Sequence, residues 1–223
     1  MSKEISFNSQ FSMNYEDYIK GIDLQNWHRY YAIIKEVSHL MPKKILEIGA
    51  GNEIVKNVLL KIVNDYKVMD INPKLKPDIL SDIREFRSEL KEKFDCVICV
   101  DVLEHMPFND LNLNLTNIFN YLTPNGIALI TIPHRESRLM IVSPFSYQRA
   151  LIIPLLGLHT PKGYLQILKN RIKNIVDLDP HHCWEIGRMG IKVSNVQKEM
   201  QEVGFQVEKF QKLLYVDFWV LRK

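Results

Sequence analysis

Between Lys44 and Ile132, short apolar runs alternate with stretches whose apolar residues recur at helical spacing, and this rhythm constrains the fold more than any other feature. Lys44-Ile-Leu-Glu-Ile48 reads as a buried strand running into a glycine turn. A helix carrying Ile54, Val55, Val58, Leu59 and Ile62 follows, then strands at Tyr66–Asp70, Asp78–Leu80 and Phe94–Val100. Leu111, Leu115, Ile118, Phe119 and Leu122 mark another helix, and Asn125-Gly126 leads into a fifth strand, Ile127–Ile132. Strands alternating with helices are βαβ units. Their right-handed crossovers lay down a mostly parallel, doubly wound Rossmann-like α/β sheet with helices on both faces. Near the end, Ser194-Asn-Val-Gln197 has a capping-box pattern and opens a helix closed by Gly204. The last two apolar runs, near Phe205–Phe210 and Leu214–Leu221, complete seven strands as an antiparallel hairpin at one edge.

Flanking this frame are a polar arm over residues 1–42 and an irregular segment over 135–190. Ile33, Ile34, Val37 and Met41 give the arm a helix from Tyr30 that Pro42 ends. The segment after His134 is aromatic and apolar in its first half and basic in its second, which reads as an insertion in a single domain of 223 residues. A net charge of +3 without a dense Lys/Arg block does not indicate a nucleic-acid partner. Cys96 and Cys99 lie three apart on a strand and so on opposite faces, unsuited to a disulfide or a shared metal. The N-terminal residues lack the apolar stretch of a signal peptide. Ala150–Leu158 is half a membrane span and contains Pro154 and Gly157, so a soluble, cytoplasmic protein is expected.

The chemistry begins at Ile45-Leu-Glu-Ile-Gly-Ala-Gly-Asn52. Glycines at 49 and 51, between a strand and a helix, let a ligand approach the backbone closely. Asp70 ends the next strand, 19 positions after Gly51, where a carboxylate can accept hydrogen bonds from two ribose hydroxyls. Asn52, Glu53 and Ile54 follow Gly51 in place of the third glycine of a pyrophosphate fingerprint. Glu47, just before the turn, would repel a phosphate and attract a cation.

Glu47-x-Gly-x-Gly51, Asp70, Ser81-Asp-Ile83, Phe94-Asp95 with Asp101-Val-Leu-Glu-His105, and Leu122-Thr-Pro-Asn-Gly126 together resemble the successive motifs of class I S-adenosylmethionine-dependent methyltransferases. The likeness runs over roughly residues 43–134, more faintly over 192–223, and is nearest in flavour to small-molecule enzymes such as those of ubiquinone biosynthesis. It implies that 43–134 is a cofactor-binding half and that 135–190 covers the substrate. By the same resemblance, Glu47, Gly49, Ala50 and Gly51 line the methionine part of the cofactor, and Asp70 holds the ribose. Ile71 packs on the adenine, Asp82 and Ile83 hold its edge, and Asp101 and Val102 flank the cofactor after the fourth strand. Glu53 departs from the small residue often found after the turn.

Methyl transfer needs a base only where the acceptor loses a proton, and His105, His134, His181 and His182 are the candidates, with His105, His134 and His182 foremost. Asp179-Pro-His-His-Cys-Trp-Glu185 resembles the loop that many members place over the acceptor. In a second reading, Asp101, Glu104, His105 and His182 resemble the divalent-metal ligands of RNA 3′-terminal 2′-O-methyltransferases. Asp101 stands there in place of a longer acid. A third reading is a non-catalytic interaction module of the same fold. Tyr15, Tyr18, Trp27, Tyr30, Tyr31, Phe145, Tyr147, Leu151, Ile152 and Tyr164 point to a small apolar or ring-containing acceptor. An oxygen acceptor is favoured because no Asn/Asp-Pro-Pro-Tyr motif follows the fourth strand. Ser146–Leu158 has the character to meet a membrane surface peripherally or a second subunit of a homodimer.

Overall fold

The computed structural model describes residues 13–49, 51–134, 138–143, 146–154 and 178–223. Seven strands form the main sheet: β1 (Lys44–Ile48), β2 (Asp65–Asp70), β3 (Ile79–Leu80), β4 (Phe94–Val100), β5 (Leu122–Pro133), β8 (Gln206–Lys212) and β9 (Val216–Arg222). Their order is β3-β2-β1-β4-β5-β9-β8. Neighbours from β3 to β5 run parallel, and β9 lies antiparallel to both β5 and β8, as the final hairpin predicts. From β1 the chain winds to β3 on one side and then returns to place β4 on the other. The switch point therefore lies between the C-terminal ends of β1 and β4, where a doubly wound sheet opens a crevice.

Five helices are described: α1 (Tyr15–Lys20), α2 (Leu24–Leu40), α3 (Ile54–Leu59), α4 (Leu111–Tyr121) and α5 (Val193–Val203). Strand residues alternate between two cores. Leu46, Met69, Val97 and Ile130 pack with Leu115 and Ile118 of α4 and Met200 of α5. Ile45, Val68, Ile98 and Leu129 pack with Ile33 and Val37 of α2 and Leu59 of α3. Cys96 and Cys99 fall into different cores and are free thiols, as their spacing requires.

Three boundaries differ from the sequence expectation. Helix α2 starts at Leu24, two turns before Tyr30, because the Asp23 carboxylate caps it by accepting from Asn26 N at 2.8 Å. Its early apolar residues Leu24, Trp27 and Tyr31 face solvent. Helix α5 is entered two residues earlier than the Ser194–Gln197 box implies. Lys192 is its N-cap, and Lys192 N donates to the Asn195 side chain at 2.8 Å. Strand β5 starts at Leu122, opposite Phe94, and the register shifts before Cys96 meets Ile127.

Within the insertion, β6 (Arg138–Ser143) and β7 (Ser146–Pro154) make a separate antiparallel pair. Arg138 roots it to the main sheet. Its guanidinium donates to the Leu213 carbonyl at 2.6 Å and pairs with Asp217 at 3.4 Å, both partners almost fully buried. Among the described residues, no helix is long and apolar enough to cross a membrane.

Candidate active site

A cavity of about 420 Å³ opens at the switch point. Its floor is the ends of β1, β2 and β4 with the turns that leave them, and one wall is α1 and α2, through Tyr18, Asn26, Arg29 and Tyr30. Glu47, Gly49, Gly51, Asp70, Ile71, Asp82, Ile83, Asp101, Val102, His105 and His182 all line this one space. Ala50 lies outside the described residues, as do Phe145 and Tyr164, and so do the side chains of Tyr147, Leu151 and Ile152. His134 is placed elsewhere, a correction to its candidacy as a base. It is buried at the end of β5, its ring 3.3 Å from the Leu213 carbonyl, and is not among the lining residues. Of the aromatic candidates, Tyr18 and Tyr30 line the cavity. Tyr15 donates to the Leu75 carbonyl, and Trp27 and Tyr31 are exposed.

The two glycines serve different needs. Gly49 has φ +90°, and a Cβ there would come within 2.6 Å of a Val102 methyl, so the close approach of β1 to the turn after β4 requires glycine. Gly51 has φ +50°, and a Cβ would meet nothing within 4 Å, so its bare backbone faces open space. Glu53, next to the turn, takes φ +57° as the N-cap of α3, and Lys56 Nζ lies 2.7 Å from its carboxylate.

The acidic groups are in contrasting states. Glu47 is buried and accepts from the Tyr66 hydroxyl at 3.0 Å; burial pushes its carboxyl up to about 8, although Tyr66 and Lys56 oppose the shift. Burial would also raise Asp82, but the Arg84 guanidinium, bonded at 2.6 Å, together with Arg84 N holds it below the usual range. Asp70 accepts from Asn72 N at 2.7 Å, which shapes the turn at the end of β2. Asp101, at φ +52°, is held on every side. Thr131 donates to it at 2.6 Å, Tyr215 at 2.9 Å, and Arg29 forms an ion pair with it.

That engagement removes Asp101 from the possible metal ligands. Among the described residues, the group able to hold an ion is Glu104, His105 and His182, whose ligand atoms lie within 4.8 Å of one another. Glu104 is fully buried, neither carboxylate oxygen has a hydrogen-bond partner among the described residues, and burial raises its carboxyl to about 8. His105 Nδ1 lies 2.9 Å from the His181 carbonyl, and burial lowers its ring to about 4, so it is a neutral imidazole near pH 7.

The loop bearing His182 is fastened on both sides. Cys183 N donates to the Glu104 carbonyl at 2.7 Å, and the buried Trp184 donates to the Met106 carbonyl at 3.0 Å. Beyond them, Ile186 N donates to the Pro133 carbonyl at 3.0 Å. Sequence reasoning missed Arg29, Thr131, Tyr215 and Glu185, because no local pattern marks them. One signal was available for Arg29. It lies four residues before Ile33 and eight before Val37, a cation on the buried face of α2.

Comparison with known proteins agrees with this fold. A methyltransferase-domain family model matches residues 25–209. None of the curated proteins compared with the chain matches it. The N-methyltransferase NodS from Bradyrhizobium japonicum WM9, solved with S-adenosyl-L-homocysteine, superposes with a TM-score of 0.63 at 12% identity, over 100% of this chain and 99% of that one. A Burkholderia thailandensis 1,6-didemethyltoxoflavin-N1-methyltransferase gives 0.57 at 13% identity, over 99% and 88%. Magnesium protoporphyrin IX methyltransferase from Synechocystis PCC 6803 gives 0.57 at 13%, over 90% and 84%. At such identities the superpositions speak for the fold, while the family match spans most of the chain: it belongs to the class I, S-adenosylmethionine-dependent methyltransferases.

Proposed function

We propose that this chain moves a methyl group from S-adenosylmethionine to an oxygen of a small, apolar or ring-containing acceptor. One observation carries the reading. Five stretches far apart in sequence, around Glu47–Gly51, Asp70–Ile71, Asp82–Ile83, Asp101–His105 and His181–His182, line one cavity at the switch point.

The residues fit that cofactor. Gly51 presents backbone to open space, Asp70 at the end of β2 would suit a ribose, and Ile71 and Ile83 would offer apolar surface to an adenine. Arg29 and Asp101 form a half-buried pair of opposite charges lining the same cavity, complementary to the carboxylate and ammonium of an amino acid. Glu47 adds a carboxyl that gains from a nearby cation. S-adenosylmethionine, when bound, supplies an electrophilic methyl on a sulfonium. What remains for the protein is to align the acceptor and take up its proton.

His182 suits that second task, since its ring reaches the cavity and is anchored from the far side by Glu185 at 2.9 Å. His105 packs beside it, ring centroids 5.1 Å apart. The imidazole pair favours a hydroxyl acceptor. A divalent cation on Glu104, His105 and His182 is a second reading, favoured by the Glu104 carboxylate, which has no hydrogen-bond partner among the described residues, and it would polarise the same hydroxyl.

Calorimetric titration with S-adenosylhomocysteine, with and without magnesium, tests both on wild type and Asp70→Ala. Micromolar-range binding that Asp70→Ala weakens at least about tenfold, the worth of one good hydrogen bond, supports the cofactor site. Absence of binding by wild type sinks it. A melting temperature raised by magnesium in wild type but not in Glu104→Gln supports the cation; no rise rules it out.

A further inference from the structure

Glu185 had no role in the sequence reading, yet it is the best-fixed group in the loop over the cavity. It is 6% exposed. Its Oε1 accepts from Asp179 N at 3.2 Å and lies 2.9 Å from His182 Nδ1, while Oε2 lies 2.5 Å from Arg188 Nε. With the Arg188 guanidinium at one oxygen and the Asp179 N–H at the other, both oxygens of this carboxylate face donors, and it has no hydrogen to give the ring. The hydrogen in the Glu185–His182 contact therefore sits on Nδ1, and the ring's free lone pair is on Nε2, the atom that lies 3.9 Å from Glu104.

We propose that Glu185 is a positioning residue that locks His182 in the Nδ1–H tautomer and so presents Nε2 as proton acceptor to the methyl acceptor's hydroxyl. This rests on the reading of His182 as the base. The proton leaving the hydroxyl passes to Nε2, the imidazolium so formed is held by the Glu185 charge, and the proton is then released to solvent. Arg188 keeps Glu185 ionised and in place, and the backbone bond from Asp179 sets its distance from the ring. The order is that of a catalytic histidine oriented by a buried carboxylate, built here within seven residues of one loop, from Asp179 to Glu185.

The test uses the full chain and no methyl acceptor. Long-range ¹H–¹⁵N spectra at alkaline pH, where imidazoles are neutral, report which ring nitrogen of His182 carries hydrogen. Diethyl pyrocarbonate, followed by peptide mass spectrometry, reports how reactive the free nitrogen is. Wild type is expected to show the Nδ1–H tautomer and ready modification of His182. In Glu185→Gln the amide can turn its NH₂ toward Nδ1, so the Nε2–H form appears and modification slows at least about tenfold, the equilibrium worth of one charge-assisted hydrogen bond. S-adenosylhomocysteine affinity stays within about twofold, because Glu185 does not line the cofactor cavity. The Nε2–H form in wild type overturns the proposal, and that measurement stands even if Glu185→Gln does not fold. An unchanged tautomer in Glu185→Gln overturns it too, as does an affinity loss equal to the loss of reactivity, which marks a structural role. Whether His182 is the base at all is decided separately by methyl transfer in His182→Ala, which the spectra do not touch.

Discussion

Replacing Glu47 by glutamine should make the protein more stable and less able to hold its cofactor. The carboxyl is buried, with its titration raised to about 8 from an unfolded value of 4.5. Folding therefore retains a proton that the unfolded chain has lost across that window. A raised carboxyl of this kind lowers stability progressively as pH climbs from 4.5 to 8. At pH 7 the cost is the gap of two to three pH units at ~1.4 kcal/mol each, or about 3 kcal/mol. Glutamine keeps an oxygen to accept from Tyr66 and has nothing to titrate. Glu47→Gln should thus melt roughly 6–12 °C above wild type at pH 7, and at pH 5 the gain should fall below about 1 kcal/mol. Binding moves the other way. A cation beside Glu47 favours the carboxylate, so wild-type affinity for S-adenosylmethionine should rise with pH toward 8. The variant should lose that dependence and about 2 kcal/mol, roughly thirtyfold, of affinity. Thermal denaturation across pH 5–8 and calorimetry in two buffers of different ionisation enthalpy measure both. A variant no more stable than wild type at pH 7, or a gain equal at pH 5 and pH 7, would refute the argument.

Two other substitutions probe the frame of the cavity. Gly49→Ala combines a positive φ with a Cβ 2.6 Å from Val102, and should cost about 2–4 kcal/mol in urea denaturation; adding Val102→Ala should recover the steric share. Arg29→Met leaves Asp101 without its cation and should cost about 2 kcal/mol of stability, with S-adenosylhomocysteine affinity falling at least about tenfold by calorimetry.

The legible parts were those whose cause is local. Glycines at 49 and 51, Asp70 at a strand end and the β–α rhythm follow from turn geometry and side-chain periodicity, and the mostly parallel, doubly wound sheet follows from the rhythm and its handedness. Arg29, Tyr215 and Thr131 were not legible, because they meet only when α2 and the β8–β9 hairpin pack against the end of β4. His134 misled for a related reason. It directly follows β5, whose end lies close to the cleft, but antiparallel pairing with β9 turns its ring to the Leu213 carbonyl. The Ser194 capping box failed because the first turn of α5 lay two residues earlier, with Asn195 reaching back to Lys192.

Those tertiary contacts also explain how the site is held open. Asp101 sits at φ +52°, a conformation that an aspartate adopts at a cost, and its amide donates to Thr131 Oγ1 at 3.1 Å while Thr131 donates back to its carboxylate. Together with Tyr215 and Arg29, this clasp fixes the turn after β4 from three elements at once, so no single bond sets its shape. The same turn continues into Glu104 and His105, and the Cys183 and Trp184 backbone and indole bonds tie the His182 loop to it. The turn after β4 that lines the cavity and the imidazole pair are thus joined through one set of hydrogen bonds. A substitution at Thr131, remote from His182, should then disturb both cofactor affinity and the His182 tautomer, whereas Glu185→Gln should disturb the tautomer alone.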